Sequence, residues 1–289
     1  MKVDKFRTVI IYIIIILLGL VCLLPLLNIV AISFSSSAAV EGNMVGLIPV
    51  GFSTAAYEKI LEDSQFWHSF LISVERVVLT LIINFVLIVL MAYPLSKTNA
   101  QFRGRNIYSN LMIFAMLFNG GMIPTFLLVK SYGLLNTVWA LVLPGAVPIF
   151  NVILVMNFFA AVPKELEEAA FIDGANPLQV LTKIFIPISQ PVLATVSLFS
   201  IVGSWNDFYS GLIYMSKAAY YPLMTYIQSL QINVEDLIKQ GNLSAVVDSA
   251  SLGNTNLNAA KIVVAVIPLL LIYPLAAAVL RFRHCGGLG

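Results

Sequence analysis

The run Pro163-Lys164-Glu165-Leu166-Glu167-Glu168-Ala169-Ala170-Phe171-Ile172-Asp173-Gly174-Ala175-Asn176-Pro177 is a polar island between two apolar runs. It reads as two short helices. Pro163 suits a first helical position, where its missing N–H costs nothing. Glu165, Glu167 and Glu168 then fall in the first turns, where carboxylates offset the positive end of the helix dipole. Ala169 and Ala170 favour helix and make a thin surface. Gly174 follows as a stop, Asn176 can cap a second helix begun by Pro177, and Pro187 ends that helix. The first helix is too polar to cross a bilayer, and helices under ~12–15 residues are marginal alone in water. Something must pack against it. A lipid surface is a poor match, because the inner leaflet is anionic and prefers Lys and Arg. A protein socket is the better match, since an alanine pair beside a glycine turn permits close backbone approach.

The second group of chemically able residues lies inside apolar runs: Asn84, Asn119, Asn151, Asn157, Trp205, Asn206, Asp207, Tyr209 and Tyr214. Polar groups at bilayer depth usually face a bundle interior. Sugars want hydroxyl partners and aromatic faces, which Asn119, Asn151, Trp205, Asn206, Asp207, Tyr209 and Tyr214 offer as candidate lining of a translocation path. The plainer reading of each Asn is interhelical glue, worth ~0.6 kcal/mol on average. Glu75 and Arg76, neighbours that point in different directions, read as a rim pair that snorkels. Pro124, Pro144, Pro148, Pro268 and Pro274 read as kinks. Catalytic motifs are missing from the sequence: no G-x4-G-K-[ST], no H-E-x-x-H and no G-x-S-x-G. The 2 cysteines, Cys22 and Cys285, and the 2 histidines, His68 and His284, are too scattered for a disulfide framework or a metal site.

The elements that must position these groups follow from composition. Of 289 residues, 60% are hydrophobic and 10% charged, with mean hydropathy +0.94. Soluble domains run near a quarter charged, so a water-soluble or disordered chain is excluded. A net charge of +2 gives no basic excess for nucleic acid. Six apolar stretches are long enough to span: Thr8–Ser33, Ser69–Leu95, Ile107–Val129, Thr137–Phe159, Pro191–Tyr214 and Ala260–Leu280. Backbone polar groups in hydrocarbon need partners within the segment, so all six are expected to be helices. The expected fold is therefore an all-α membrane protein of six transmembrane helices. The first stretch, after Lys2, Lys5 and Arg7, is too long for a signal h-region of about 7–15 residues and reads as a retained span.

With the N-terminus cytoplasmic, ten Lys/Arg fall on that side and five opposite, Arg76 in span two completing the 16. This positive-inside bias puts both termini in the cytoplasm. Two acidic polar segments, 34–68 and 215–258, then face outward. The expected organisation is 1–68 as first span and outward segment, 69–281 as a five-helix core with the loop 160–189 between spans four and five, and 282–289 as a cytoplasmic tail.

Glu168-Ala169-Ala170, three residues, Gly174, nine residues, then Ile184-Phe185-Ile186-Pro187 resembles the "EAA" loop of membrane subunits of binding-protein-dependent ABC importers. Ile186 stands where that pattern has Leu. Ala92-Tyr93-Pro94-Leu95 with Phe102-Arg103-Gly104-Arg105, and Trp205-Asn206-Asp207-Phe208, resemble the smaller permease subunit of maltose-type carbohydrate importers. Asn119-Gly120-Gly121-Met122-Ile123-Pro124-Thr125 and Gly133-Leu134-Leu135-Asn136-Thr137 resemble an oligosaccharide and polysaccharide subgroup that includes alginate-type importers. The likeness covers about 66–274, and the tail 276–289 departs from it.

The resemblance implies that the loop is a coupling helix docked on a separate ATPase. Glu168 would be its charged anchor, Ala169 and Ala170 its close-packed face, and Gly174 its turn, with Pro187 carried over as well. It implies no cofactor in this chain, with ATP and Mg on a dimeric ATPase partner. It also implies a second, non-identical permease, an extracytoplasmic solute-binding protein and an oligosaccharide substrate, in the bacterial inner membrane. The chain itself would not be an enzyme. An ion-coupled secondary transporter is the alternative, but only Glu75 and Asp207 are acidic in or near spans and no inverted repeat is visible. A scaffold or receptor subunit that moves nothing is the other.

Overall fold

A computed structural model describes residues 5–118, 120–230 and 255–281. Asn119, most of the second polar segment (231–254) and the tail 282–289, with His284 and Cys285, lie outside the described residues. Among the described residues all regular structure is helical. In chain order these helices are α1 (Lys5–Ser33), α2 (Ser37–Glu41), α3 (Ala55–Glu62), α4 (Ser64–Leu95), α5 (Arg105–Leu117), α6 (Met122–Ser131) and α7 (Val138–Val142). They continue as α8 (Ile149–Ala160), α9 (Lys164–Ile172), α10 (Pro177–Val180), α11 (Ile186–Ile188), α12 (Gln190–Asn206), α13 (Tyr209–Tyr214), α14 (223–230) and α15 (Thr255–Arg281).

Among the described residues three helices are long and apolar enough to cross a bilayer unaided: Thr8–Ser33, Ser64–Leu95 and Thr255–Ile272. The total reaches six only if three bent pairs each count as one span. Three of the six expected spans are such bent pairs. Span three is divided between α5 and α6, where Gly121 takes φ +90°. Span four bends by 47° between Val138–Gly145 and Ile149–Ala160. Pro144 and Pro148 remove two backbone donors there, and a 3-10 turn at Leu143–Gly145 fills the gap. Span five starts at α12 after an 84° turn and stops at Asn206, short of Tyr214. Pro25 and Pro94, by contrast, sit within continuous helices.

The chain divides into two compact units, Met1–Trp67 with Ile227–Pro268, and His68–Tyr226 with Leu269–Gly289. In the first, Asn28 donates to the Gly46 carbonyl at 2.7 Å and Ser33 Oγ meets Tyr57 Oη at 2.8 Å. Lys261, at the start of α15, is buried and pairs with Asp63 at 2.7 Å. From Val9 to Leu27 the apolar side chains of α1 are exposed, an arrangement stable in lipid and not in water.

The second unit has one main core. Ile88, Val89 and Ala92 of α4 meet Val152, Val155 and Phe159 of α8, together with Leu193 and Val196 of α12. Phe185 closes it edge-on to Phe159, ring centroids 5.4 Å apart. Ala170 and Ala175, from the polar loop, also pack on this core.

Candidate coupling helix and translocation cavity

The polar loop folds as two short helices. α9 runs Lys164–Ile172 and α10 begins at Pro177. Pro163 is not in the first helical turn as expected but precedes it, with ψ 129°. Its extended ψ breaks the chain direction between α8 and α9. Gly174 takes φ +81°, the left-handed conformation that ends a helix cheaply only for glycine. Asn176 caps α10 through a full capping box: its Oδ1 accepts from the Gln179 N–H, and Gln179 Oε1 accepts from the Asn176 N–H, both at 2.9 Å. The second helix then passes through a π-turn at Leu181–Phe185 and ends at Ile188, one residue beyond Pro187.

The carboxylates of α9 divide by face. Glu167 is buried at 8% exposure and Glu168 is exposed. Glu167 Oε1 accepts from Lys97 Nζ at 2.6 Å, and both side chains are about nine-tenths buried. Tyr93 Oη donates to the same oxygen at 3.4 Å. The Lys97 ammonium also sits 4.1 Å from the Tyr93 ring centroid and 4.3 Å from that of Phe185, both cation–π distances. Burial pulls Lys97 below its ordinary value, while Glu167 opposes that by favouring the charged form. α9 is thus clamped to the end of α4. Its other face presents Glu168, Ala169 and Ile172, the last 86% exposed, while Leu166 and Phe171 are partly exposed at the flanks.

The helix identified by its charge pattern therefore has two charged roles. Spacing does not connect Glu167 with Lys97, since they lie 70 residues apart. The available signal was periodicity: Glu167 is three residues before Ala170, on the same helical face, and Ala170 packs on the core.

Further back within α4, the expectation of a snorkelling Arg76 is overturned. Arg76 is 3% exposed. Its Nη2 donates to Asp207 Oδ2 at 2.5 Å and its Nη1 to the Asp207 carbonyl at 2.9 Å. Glu75, its neighbour, is exposed. Asp207 occupies the break between α12 and α13. There its Oδ1 accepts from the Ser210 N–H at 3.1 Å, so the carboxylate also caps α13. A buried arginine and an acid that share one bundle need each other, because either alone would carry an uncompensated charge.

This pair borders a cavity of about 270 Å³. Asn151, Asp207 and Tyr214 line it, as do the unexpected Arg76, Thr80, Ser200, Ser204 and Ser210. Asn84 also lines it, and its amide lies 3.2 Å from Ser200 Oγ, joining α4 to α12 as interhelical glue. Asn119 lies outside the described residues, and the remaining expected path residues are placed elsewhere. Trp205 is buried edge-on to Phe70, ring centroids 5.7 Å apart. Asn206 and Asn157 are exposed, and Tyr209 reaches Met122 Sδ instead.

Residues 2–283 match the family described as "Binding-protein-dependent transport system inner membrane component". The chain is 39% identical over 271 residues to the polygalacturonan/rhamnogalacturonan transport system permease protein YtcP of Bacillus subtilis (strain 168), covering 94% of this chain and 93% of that one. It is 39% identical over 256 residues to Protein LplC of the same organism, covering 89% and 85%. Among solved structures it is similar to a chain of a bacterial ABC transporter involved in the import of the acidic polysaccharide alginate. That similarity has a TM-score of 0.83 and 31% identity over 98% of this chain and 99% of that one.

Proposed function

This chain belongs to the family of binding-protein-dependent transport system inner membrane components, and from that premise we propose that it forms half of the path of an ATP-driven importer of oligosaccharides. Membership also disposes of the ion-coupled alternative. The substrates named for YtcP and for the alginate importer support a saccharide polymer or its fragments as cargo.

In this proposal the second half of the path is another permease, and an extracytoplasmic solute-binding protein delivers the sugar. ATP and Mg are held by a dimeric ATPase. Both termini, and α9 with them, lie in the cytoplasm. α9 seats in a groove of the ATPase through Glu168, Ala169 and its exposed apolar side chains, with Gly174 turning the chain away.

The observation that carries the reading is the two-sidedness of α9. One face is ion-paired to α4, and the opposite face leaves Glu168, Ala169 and Ile172 in the open. A short helix with a buried tether and an exposed apolar face is built to receive force. Movement of α9 would pass through Lys97 into α4. The 21 residues from Lys97 back to Arg76 span roughly 30 Å of helix at ~1.5 Å each, ending at the cavity. Only ligands with different affinity for two states can shift them, so ATP and the loaded binding protein must each favour one state.

The experiment is reconstitution. The chain, with the partner chains that co-purify with it, goes into proteoliposomes with radiolabelled oligogalacturonate and the binding protein. Uptake that requires ATP supports the reading. Uptake driven by an ion gradient without ATP, or no uptake of any saccharide, refutes it.

A further inference from the structure

We infer that the cavity beside the Arg76–Asp207 pair seats a single pyranose ring of the transported saccharide and recognises it by its hydroxyls, not by its charge. This deepens the proposed function and rests on it.

Size comes first. The cavity of about 270 Å³ falls just below the ~300–1,000 Å³ typical of sites for drug-sized ligands. It admits one ring of a chain and not several.

Charge comes next. Asp207 is fully engaged: Oδ2 takes Arg76 Nη2 and Ser210 Oγ, each at 2.5 Å, and Oδ1 takes the Ser210 N–H. Arg76 and Asp207 therefore cancel within the wall, and the cavity offers no net charge to an ionic cargo.

What remains unspent is hydrogen-bonding capacity. Arg76 Nε–H and Thr80 Oγ1 are buried without a hydrogen-bond partner, on residues only 3% and 8% exposed. Two adjacent orphans on one helix face, four residues apart, are costly unless something in the cavity meets them. Both Arg76 and Thr80 line the cavity, and buried Asn151 and Tyr214 add an amide and a phenol to its wall. These groups donate and accept, as ring hydroxyls do. Leu141, Pro144, Pro148 and Phe199 supply apolar wall for the C–H face of a sugar. Polar edge and apolar face together describe a pyranose better than they describe a carboxylate, which would need an uncompensated cation.

The test uses the whole importer in proteoliposomes, with C22S/C285S as background and S204C as a reporter on the cavity wall. Thiol modification by a small methanethiosulfonate reagent is timed during turnover. The probes are trigalacturonate and its neutral, carboxyl-reduced counterpart, each delivered by the binding protein. Slowing of modification by at least fivefold with both probes is the expected result. In parallel, T80V and N151L are expected to lower uptake about tenfold for both probes, while the assembled complex still elutes intact. Protection by the acidic probe alone would overturn the inference in favour of a carboxylate on Arg76. Unaltered modification during active uptake would overturn it outright and leave the importer assignment standing. Absence of any saccharide uptake by the unsubstituted importer would remove the proposed function itself, and this inference with it.

Discussion

Glu167 and Glu168 are adjacent carboxylates with opposite surroundings, and exchanging each for glutamine separates the tether from the docking face. E167Q leaves Lys97 nine-tenths buried without its counter-ion. Removing one partner of a buried ion pair costs ~3–5 kcal/mol. The lower end applies here, because Lys97 keeps its contacts with the Tyr93 and Phe185 rings. About 3 kcal/mol is a factor of ~150 in the ratio of docked to undocked α9, at ~1.4 kcal/mol per tenfold. E168Q touches an exposed side chain and is expected to stay within ~0.5 kcal/mol. Hydrogen exchange of the amides of Lys164–Ile172 in the isolated permease measures the difference directly. Protection in that helix should fall on the order of 100-fold in E167Q and hardly at all in E168Q. The double exchange K97E/E167K should restore part of the loss. Equal protection in both single variants would refute the clamp.

Three further outcomes follow from the geometry. D207N should destabilise the second unit by ~3 kcal/mol, because Arg76 keeps its charge in a buried site; thermal unfolding in detergent should show the loss, and the double exchange R76D/D207R should recover part of it. G211A should cost ~1–3 kcal/mol, since a Cβ there would run into Thr225 Oγ1 and approach its Cβ and Cγ2 at 2.8 Å; G211A/T225G, which removes all three atoms, should melt closer to the unsubstituted protein. G174A meets open space within this chain, so its folding cost should be only the ~1–2 kcal/mol of a left-handed alanine; uptake per ATP hydrolysed should fall further than that if the turn fits a partner groove, and an unchanged ratio would count against the fit.

Much of this molecule is legible locally. Asn176 followed three residues later by Gln179 is a capping box in the sequence and in space, and Gly174 stops α9 because no other residue takes φ +81° cheaply. The positions of apolar runs follow from the bilayer constraint on backbone hydrogen bonds. Continuity of those runs does not, because Pro144, Pro148 and Gly121 allow a helix to kink or to break, and packing decides which. Partners across the bundle are hidden for the same reason. Asp207 and Arg76 lie 131 positions apart, and nothing in either local pattern marks the other. The pairing could still have been inferred from cost, since two isolated charges in apolar runs are each untenable. Trp205 reads as a stacking platform by chemistry, yet the edge of Phe70 occupies its surroundings. Residue type suggests what a side chain can do; only neighbours settle whether it is free to do it.

The central claim is that α9 delivers force from a nucleotide-hydrolysing subunit to the spans. Its most direct test is a photo-activatable residue at Ile172, the most exposed large apolar side chain of that helix. In the assembled importer, illumination should yield a covalent adduct with the ATPase subunit, in an amount that changes when ATP is bound. Adducts confined to lipid, or to a protein outside the cell, would contradict the account.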